Sequence, residues 1–95
     1  MFYIYFLYSK SADKFYIGHS EDPGKRVVKH NSDTGNTFTK KFRPWILIYD
    51  FPVSNSRADA LKIERFIKKQ KSRKLILKII NDKLGIADFQ WILQK

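Results

Sequence analysis

The sequence predicts a small α+β domain, with a three-stranded antiparallel or mixed sheet flanked by helices in the order β-β-α-β-α-α(-α). Two early segments rich in Tyr, Phe and Ile are typical of strands, and a third apolar segment lies between two prolines. Residues that favour helix starts precede most of the remaining segments. With 95 residues, the chain has room for one domain, spanning residues 1–95.

The first half of the chain predicts a hairpin followed by a short helix. Phe2–Tyr8 and Lys14–Gly18 read as its two strands, separated by the polar stretch "SKSAD". Asp22 can cap a helix that has Pro23 at its first position and runs to about Asn31. The next residues, "NSDTGNT", predict a turn-rich loop.

The segment "PWILIYDFP" carries apolar residues on both alternating faces. This pattern predicts a central strand that is covered on both sides. Ser56 and Asp59 then form a capping-box-like pair, which predicts a helix from Arg57 to about Lys71.

The C-terminal part of the sequence predicts two more helices. Ser72 can cap the first of them, and Gly85 can end it. The last segment, "IADFQWILQK", predicts a short helix that packs Phe89 and Trp91 against the body of the domain.

The charge is strongly basic, with 19 Lys and Arg against 9 Asp and Glu, a net charge of +10. Such an excess favours a polyanionic partner, and we expect a nucleic acid, although lysine-rich faces also keep small domains soluble.

The absence of Cys excludes disulfides, a thiol nucleophile and Cys-ligated zinc. No apolar run is long enough for a membrane span, and no signal peptide is recognisable. We therefore expect a mature, soluble, cytoplasmic protein with no membrane partner.

Glu64 is the most informative residue of the predicted long helix. At ~100° per residue, its direction falls within the apolar arc that includes Ala60 and Leu61. A carboxylate that faces the sheet must be paired, protonated or bound to a cation. The pattern alone leaves a structural ion pair and a functional site about equally favoured.

Arg26 and His30 lie four residues apart and share one face of the first predicted helix. Arg suits bidentate phosphate contacts and His can shuttle a proton, but for an isolated pair a solvated basic face is the preferred explanation. Tyr in a strand is usually a packing residue, so neither Tyr5 nor Tyr16 by itself indicates a functional site. Gly18 could permit close approach of a backbone or a substrate.

Taken together, these residues resemble the GIY-YIG endonuclease family. The two name-giving motifs correspond to "YIY" (Tyr3-Ile4-Tyr5) and "YIG" (Tyr16-Ile17-Gly18), with Tyr3 in place of the first motif's glycine. Arg26, His30 and Glu64 follow in the family's order. The resemblance covers nearly the whole chain and is closest to small stand-alone members labelled as excision-repair nuclease-like.

The resemblance implies a divalent-metal-dependent DNA nuclease that hydrolyses phosphodiester bonds. It implies that Tyr5 is the general base, assisted by His30, and that Tyr16 orients water or phosphate. Arg26 would bind the scissile phosphate, and Glu64 would hold one Mg²⁺ or Mn²⁺ ion. We expect substrate contacts from Gly18, His19, Lys25, Lys29, Lys68 and Asn81. The resemblance bears on two of them, because some members carry a catalytic Lys at the position of His19 and some have a supporting Asn beyond the glutamate, where Asn81 lies.

Three functions therefore remain open at this point. The first is a nuclease that is structure-selective or weakly specific, since the chain has no room for a separate DNA-reading domain, with branched or damaged DNA as its substrate. The second is a non-catalytic nucleic-acid-binding module on the same fold, and the third is a protein-interaction domain. Glu64 within the apolar arc favours the nuclease, because a binding module needs no carboxylate there.

Overall fold

A computed structural model describes residues 1–32 and 41–94. These residues form three strands and four helices, in the element order that the sequence predicts. The strands are β1 (Phe2–Ser9), β2 (Lys14–Ser20) and β3 (Ile46–Ser54), and the helices are α1 (Pro23–His30), α2 (Arg57–Lys69), α3 (Arg73–Asn81) and α4 (Ile86–Leu93). The predicted loop after α1 lies largely outside the described residues.

The sheet is antiparallel throughout, with the order β2-β1-β3. The prediction that the third strand is central was wrong, because β3 pairs only with β1 and is an edge strand. Its residues Ile46 and Ile48 are exposed, at 52% and 37%. Pro52 lies within β3, and a proline inside a strand is typical of an edge, where no hydrogen-bond donor is needed on the open side. β1 is the central strand.

Each face of the sheet has its own cluster of apolar side chains. On one face, Ile4 and Phe6 of β1 pack against Ile63 and Ile67 of α2 in the larger cluster, which also includes residues of α3 and α4. On the other face, Tyr5 and Leu7 pack with Trp45, and Tyr16 and Val27 border them. Alternation along β1 therefore directs Tyr5 away from the main core and toward α1.

The helix starts follow the predicted capping chemistry. Asp22, Ser56 and Ser72 each accept a hydrogen bond from a backbone N–H in the first turn of the helix that follows. The α3 helix ends at Asn81, before the predicted Gly85, which instead precedes α4. In α4, Phe89 is buried as predicted, whereas Trp91 packs edge-on against Phe66 and remains 48% exposed. None of the helices among the described residues is long and apolar enough to cross a bilayer.

Candidate active site

The register between β1 and β2 places Tyr5 opposite Gly18. A Cβ atom at position 18 would overlap the hydroxyl and the Cζ atom of Tyr5, so the phenol lies against the bare backbone of the glycine. The sequence predicted close approach of a backbone or a substrate at Gly18, but in the structure the Tyr5 side chain occupies this space. Tyr5 is only 1% exposed, and this contact fixes its hydroxyl at the β2 edge of the sheet.

The α1 helix supplies His30 to the Tyr5 hydroxyl. The Tyr5 Oη and His30 Nε2 atoms are 2.9 Å apart, in a buried hydrogen bond. Tyr16 lies beside both groups, with its ring centroid 4.7 Å from that of His30 and 6.4 Å from that of Tyr5. These three side chains, separated in sequence, form one cluster on the α1 side of the sheet.

Burial shifts the pKa of both groups in the Tyr5–His30 hydrogen bond. Burial raises the pKa of Tyr5 to about 12, while hydrogen bonding and charge from Arg26 oppose the rise and the charges of Tyr16 and Glu64 add to it. Burial also lowers the pKa of His30, and the positive charges of Arg26 and Lys29 lower it further. His30 is therefore neutral at neutral pH and can accept the hydroxyl proton of Tyr5 at Nε2.

Arg26 lies one helical turn before His30, as the spacing predicts. Its Nε atom is buried and has no hydrogen-bond partner within residues 1–32 and 41–94. A buried donor without a partner is costly, so this atom calls for an acceptor from outside. An anion that approaches Tyr5 and His30 would supply one.

Glu64 is buried, as its position in the apolar arc predicts, with only 9% of its surface exposed. Its Oε1 atom is 2.6 Å from Nδ1 of His19, and its Oε2 atom is 2.9 Å from Nζ of Lys68. On the far side of the imidazole ring, Arg57 lies 3.2 Å from Nε2 of His19. Because Arg57 can only donate, His19 Nε2 accepts and the proton of the neutral ring sits on Nδ1, facing Glu64.

Lys68 connects the two groups of side chains around the β2 edge. Its ammonium group binds Glu64 and also lies 5.4 Å from the centroid of the Tyr16 ring. The Glu64 charge is near enough to affect the pKa of Tyr5. The site thus has two sides, one with Tyr5, His30 and Arg26 and the other with the Glu64 carboxylate, and strand β2 lies between them.

Three other predicted site residues, Lys25, Lys29 and Asn81, lie on helices α1 and α3. Lys25 and Lys29 are exposed on α1, beside Arg26. Asn81 is the exposed last residue of α3, and among the described residues it contacts none of the other predicted site residues.

Sequence reasoning missed two contributors to this site, Arg57 and Asn31. Arg57 begins α2 and binds His19, a contact that no spacing in the sequence signals. The side chain of Asn31 hydrogen-bonds both the N–H and the C=O of Trp45, whose ring lies edge-on to Tyr16. A polar residue at the end of a predicted helix was the only signal for Asn31.

The chain is similar in sequence to a known domain family and to several known proteins. Residues 1–76 match the model of the GIY-YIG catalytic domain. A UPF0213 protein of Staphylococcus saprophyticus is 39% identical over 78% of this chain and 92% of its own length, and a UPF0213 protein of Staphylococcus epidermidis is 37% identical over 70% of this chain and 79% of its own.

A third relative is larger. The structure-specific endonuclease subunit SLX1 of Scheffersomyces stipitis is 40% identical over 64% of this chain, which matches 20% of the SLX1 length. The family match covers the two tyrosine motifs, Arg26, His30 and Glu64, the residues that the fold gathers around the β2 edge. The chain belongs to the GIY-YIG family.

Proposed function

We propose that this chain is a divalent-metal-dependent DNA endonuclease that hydrolyses phosphodiester bonds, with a preference for DNA structure rather than sequence. The observation that carries the proposal is the buried Nε of Arg26, which has no partner among the described residues and lies on the helix that supplies His30 to Tyr5. A phosphate at this position would satisfy Arg26 and lie beside a tyrosine–histidine pair. The SLX1 relative is named as a structure-specific endonuclease subunit, which supports this reading. A role in DNA repair or recombination is part of the proposal.

The protein has the charge that a DNA partner requires. The net charge is +10, and Lys25 and Lys29 extend the basic surface of α1 beside Arg26. Neutralising DNA phosphates with Lys and Arg releases counterions, which favours binding at moderate salt.

Tyr5 and His30 would activate the attacking water by a two-step proton relay. With a pKa raised to about 12, Tyr5 is not a phenolate at neutral pH. The water proton passes to Tyr5 Oη while the phenol proton passes to His30 Nε2, 2.9 Å away. The hydroxide forms a bond to phosphorus as the bond from phosphorus to the leaving oxygen breaks, and the leaving oxygen takes a proton from solvent water. His30 ends as an imidazolium, which the negative charge of the phosphate stabilises.

Arg26 would bind the scissile phosphate and offset the charge that grows in the transition state. Its planar guanidinium can offer two parallel donors to phosphate oxygens. Tyr16, whose ring lies beside those of Tyr5 and His30, would orient the water or the phosphate with its hydroxyl.

Glu64 fits the requirements of a Mg²⁺ or Mn²⁺ ligand. The described residues contain no cluster of three or more acidic, His or Cys side chains, so an all-protein cage is not formed by them. Mg²⁺ is commonly held by one or two carboxylates, with waters and substrate phosphates as its other ligands, and Glu64 is such a carboxylate. Both of its oxygens already have a donor, His19 at Oε1 and Lys68 at Oε2, so a metal ion would displace one of these two side chains. The ion would stabilise charge on the phosphate and the leaving oxygen.

The two other functions explain less of this geometry. A binding module needs the basic surface but has no use for a buried carboxylate near a tyrosine–histidine pair. A protein-interaction domain requires neither. A protein-interaction domain would also leave Arg26 Nε without an acceptor among the described residues, and a buried donor without a partner weakens the fold.

Cleavage assays with Mg²⁺ test the proposal, on supercoiled plasmid and a panel of branched, flapped and linear duplexes. We expect cutting that EDTA abolishes and that Glu64→Gln slows by on the order of a hundredfold or more. Gln keeps the size of the buried side chain and one of its two acceptor oxygens, but it removes the charge. The matched control is Glu21→Gln, a change of the same type at an exposed position. Binding without cutting by the wild type across metals, or full activity in Glu64→Gln, would contradict the proposal.

A further inference from the structure

A cavity of about 510 Å³ adjoins the candidate active site. It lies between the outer edge of β2 and the junction of α2 with α3. Phe15 and Ile17 line it from the strand, and Ile67 and Ile76 line it from the helices. The floor of the cavity is therefore apolar, and its size is within the ~300–1,000 Å³ of ligand-binding pockets.

The rim of this cavity is basic. Lys14, Lys68, Lys71 and Arg73 line it, against a single carboxylate, Asp13. That carboxylate is already bound to Arg73 at 2.6 Å. Lys71 is exposed and makes no ion pair within the part of the chain that the structure describes. An apolar floor with an excess of positive charge at its rim suits a ligand with flat apolar faces and a phosphate.

The cavity and the candidate active site share two residues. Tyr16 and Lys68 line the cavity. The Tyr16 ring also contacts His30, and the Lys68 ammonium group also binds the Glu64 carboxylate. A DNA strand with its scissile phosphate at Arg26 would pass Tyr16 and Lys68 to reach the cavity. The adjoining nucleotide of that strand is thus its natural occupant.

We propose that this cavity holds one unpaired nucleotide next to the scissile phosphate, with its base over the apolar floor and its phosphate at Lys71. The inference rests on the proposed nuclease function and gives a physical source for its preference for DNA structure. A base within a duplex is stacked and paired, so it cannot enter a pocket of this size without being extruded, whereas an unpaired base enters freely. Because the floor is apolar and every base has a flat face, we expect the pocket to accept any of the four bases.

The test measures DNA binding in EDTA, where no cleavage occurs. The ligands are a blunt duplex and the same duplex with a short unpaired extension that carries a fluorescent purine analogue at the junction. We expect the wild type to bind the extended duplex about fivefold more tightly, with a change in purine fluorescence.

Lys71→Asn should remove most of this preference and leave blunt-duplex affinity nearly unchanged. Asn is chosen because Lys71 has a left-handed backbone, with φ of 48°, which Asn tolerates. Lys83→Asn is the matched control, because Lys83 is also exposed and left-handed, with φ of 52°, and does not line the cavity. It should keep both the preference and the fluorescence change.

Equal binding of the two duplexes by the wild type, or equal losses in the two Asn variants, would overturn the pocket assignment. These outcomes are separable from failure of the proposed function. A wild type that cuts DNA in Mg²⁺ without preferring the extended duplex refutes only the pocket. A wild type that prefers the extended duplex and cuts nothing refutes only the nuclease.

Discussion

Substitution of Gly18 by Ala is the sharpest perturbation of this site. The added Cβ would overlap the hydroxyl and Cζ of Tyr5, two atoms that belong to a rigid ring. Tyr5 is 1% exposed and packed against Leu7 and Trp45, so the ring cannot retreat without moving the smaller apolar cluster. The backbone itself is not at issue, because Gly18 does not have a positive φ.

Two losses contribute to the expected destabilisation by Gly18→Ala. Overpacking of a well-filled core costs about 1–3 kcal/mol. Displacement of the Tyr5 ring also weakens the 2.9 Å hydrogen bond to His30, a net loss of about 1 kcal/mol. A total of about 2–4 kcal/mol lowers Tm by ~10–20 °C in a domain of this size. A shift of Tyr5 Oη by about 1 Å would slow cleavage about a hundredfold.

Thermal unfolding and single-turnover cleavage test this prediction, the latter well below the Tm of the variant. Gly85→Ala is the control, because a Cβ at Gly85 meets no atom within 4 Å and its backbone is extended. This control should lose no more than about 1 kcal/mol, because Ala is a poorer helix N-cap than Gly but the added Cβ meets no neighbour. If Gly18→Ala matched the Gly85→Ala control in both Tm and cleavage rate, the packing of Tyr5 on Gly18 would not position the catalytic hydroxyl.

Three further predictions concern the electrostatics of the site. Arg26→Ala should slow cleavage by on the order of a hundredfold or more while weakening DNA binding only severalfold, since Arg26 acts mainly on the transition state; equal losses in the two assays would argue against that role. The double change Lys25→Glu and Lys29→Glu should weaken binding and reduce the salt dependence of log K by about 2, because two phosphate contacts are lost; an unchanged slope in salt titrations would place the DNA surface elsewhere. His30 must be neutral to accept a proton, and its pKa lies below the ordinary 6.5, so the rate should be level above pH 6.5 and fall as the pH drops below it. Because the pKa of His30 is lower in the folded protein than in the unfolded chain, His30 stabilises the fold above pH 6.5, and this stability is lost as the pH falls. In His30→Gln, Tm should therefore fall less on acidification than it does in the wild type.

Local sequence patterns predicted the elements of the fold well, because their determinants are local. Capping by Asp22, Ser56 and Ser72 depends on residues within one helical turn, and all three caps are present. Helical periodicity likewise predicted that Glu64 is buried and that Arg26 and His30 share a face.

Strand order in the sheet was the main error of the sequence prediction. β1 and β3 both carry apolar residues on both of their faces, so hydropathy alone does not show that β1 is central and β3 is at an edge. Pro52 within β3 was the available signal, since it lacks the N–H that a central strand needs.

The sequence by itself determined the α+β class, the order of the elements, the basic charge and the set of residues that resembles the GIY-YIG motifs. Only the tertiary structure decided how these residues meet. The contact of Tyr5 with Gly18 depends on the β1–β2 register, and the His19–Glu64–Lys68 contacts depend on how α2 packs against the edge of the sheet. Residues 45 positions apart in the chain meet in that cluster. Periodicity describes one element at a time, whereas such contacts arise from the packing of several elements, which no local pattern encodes.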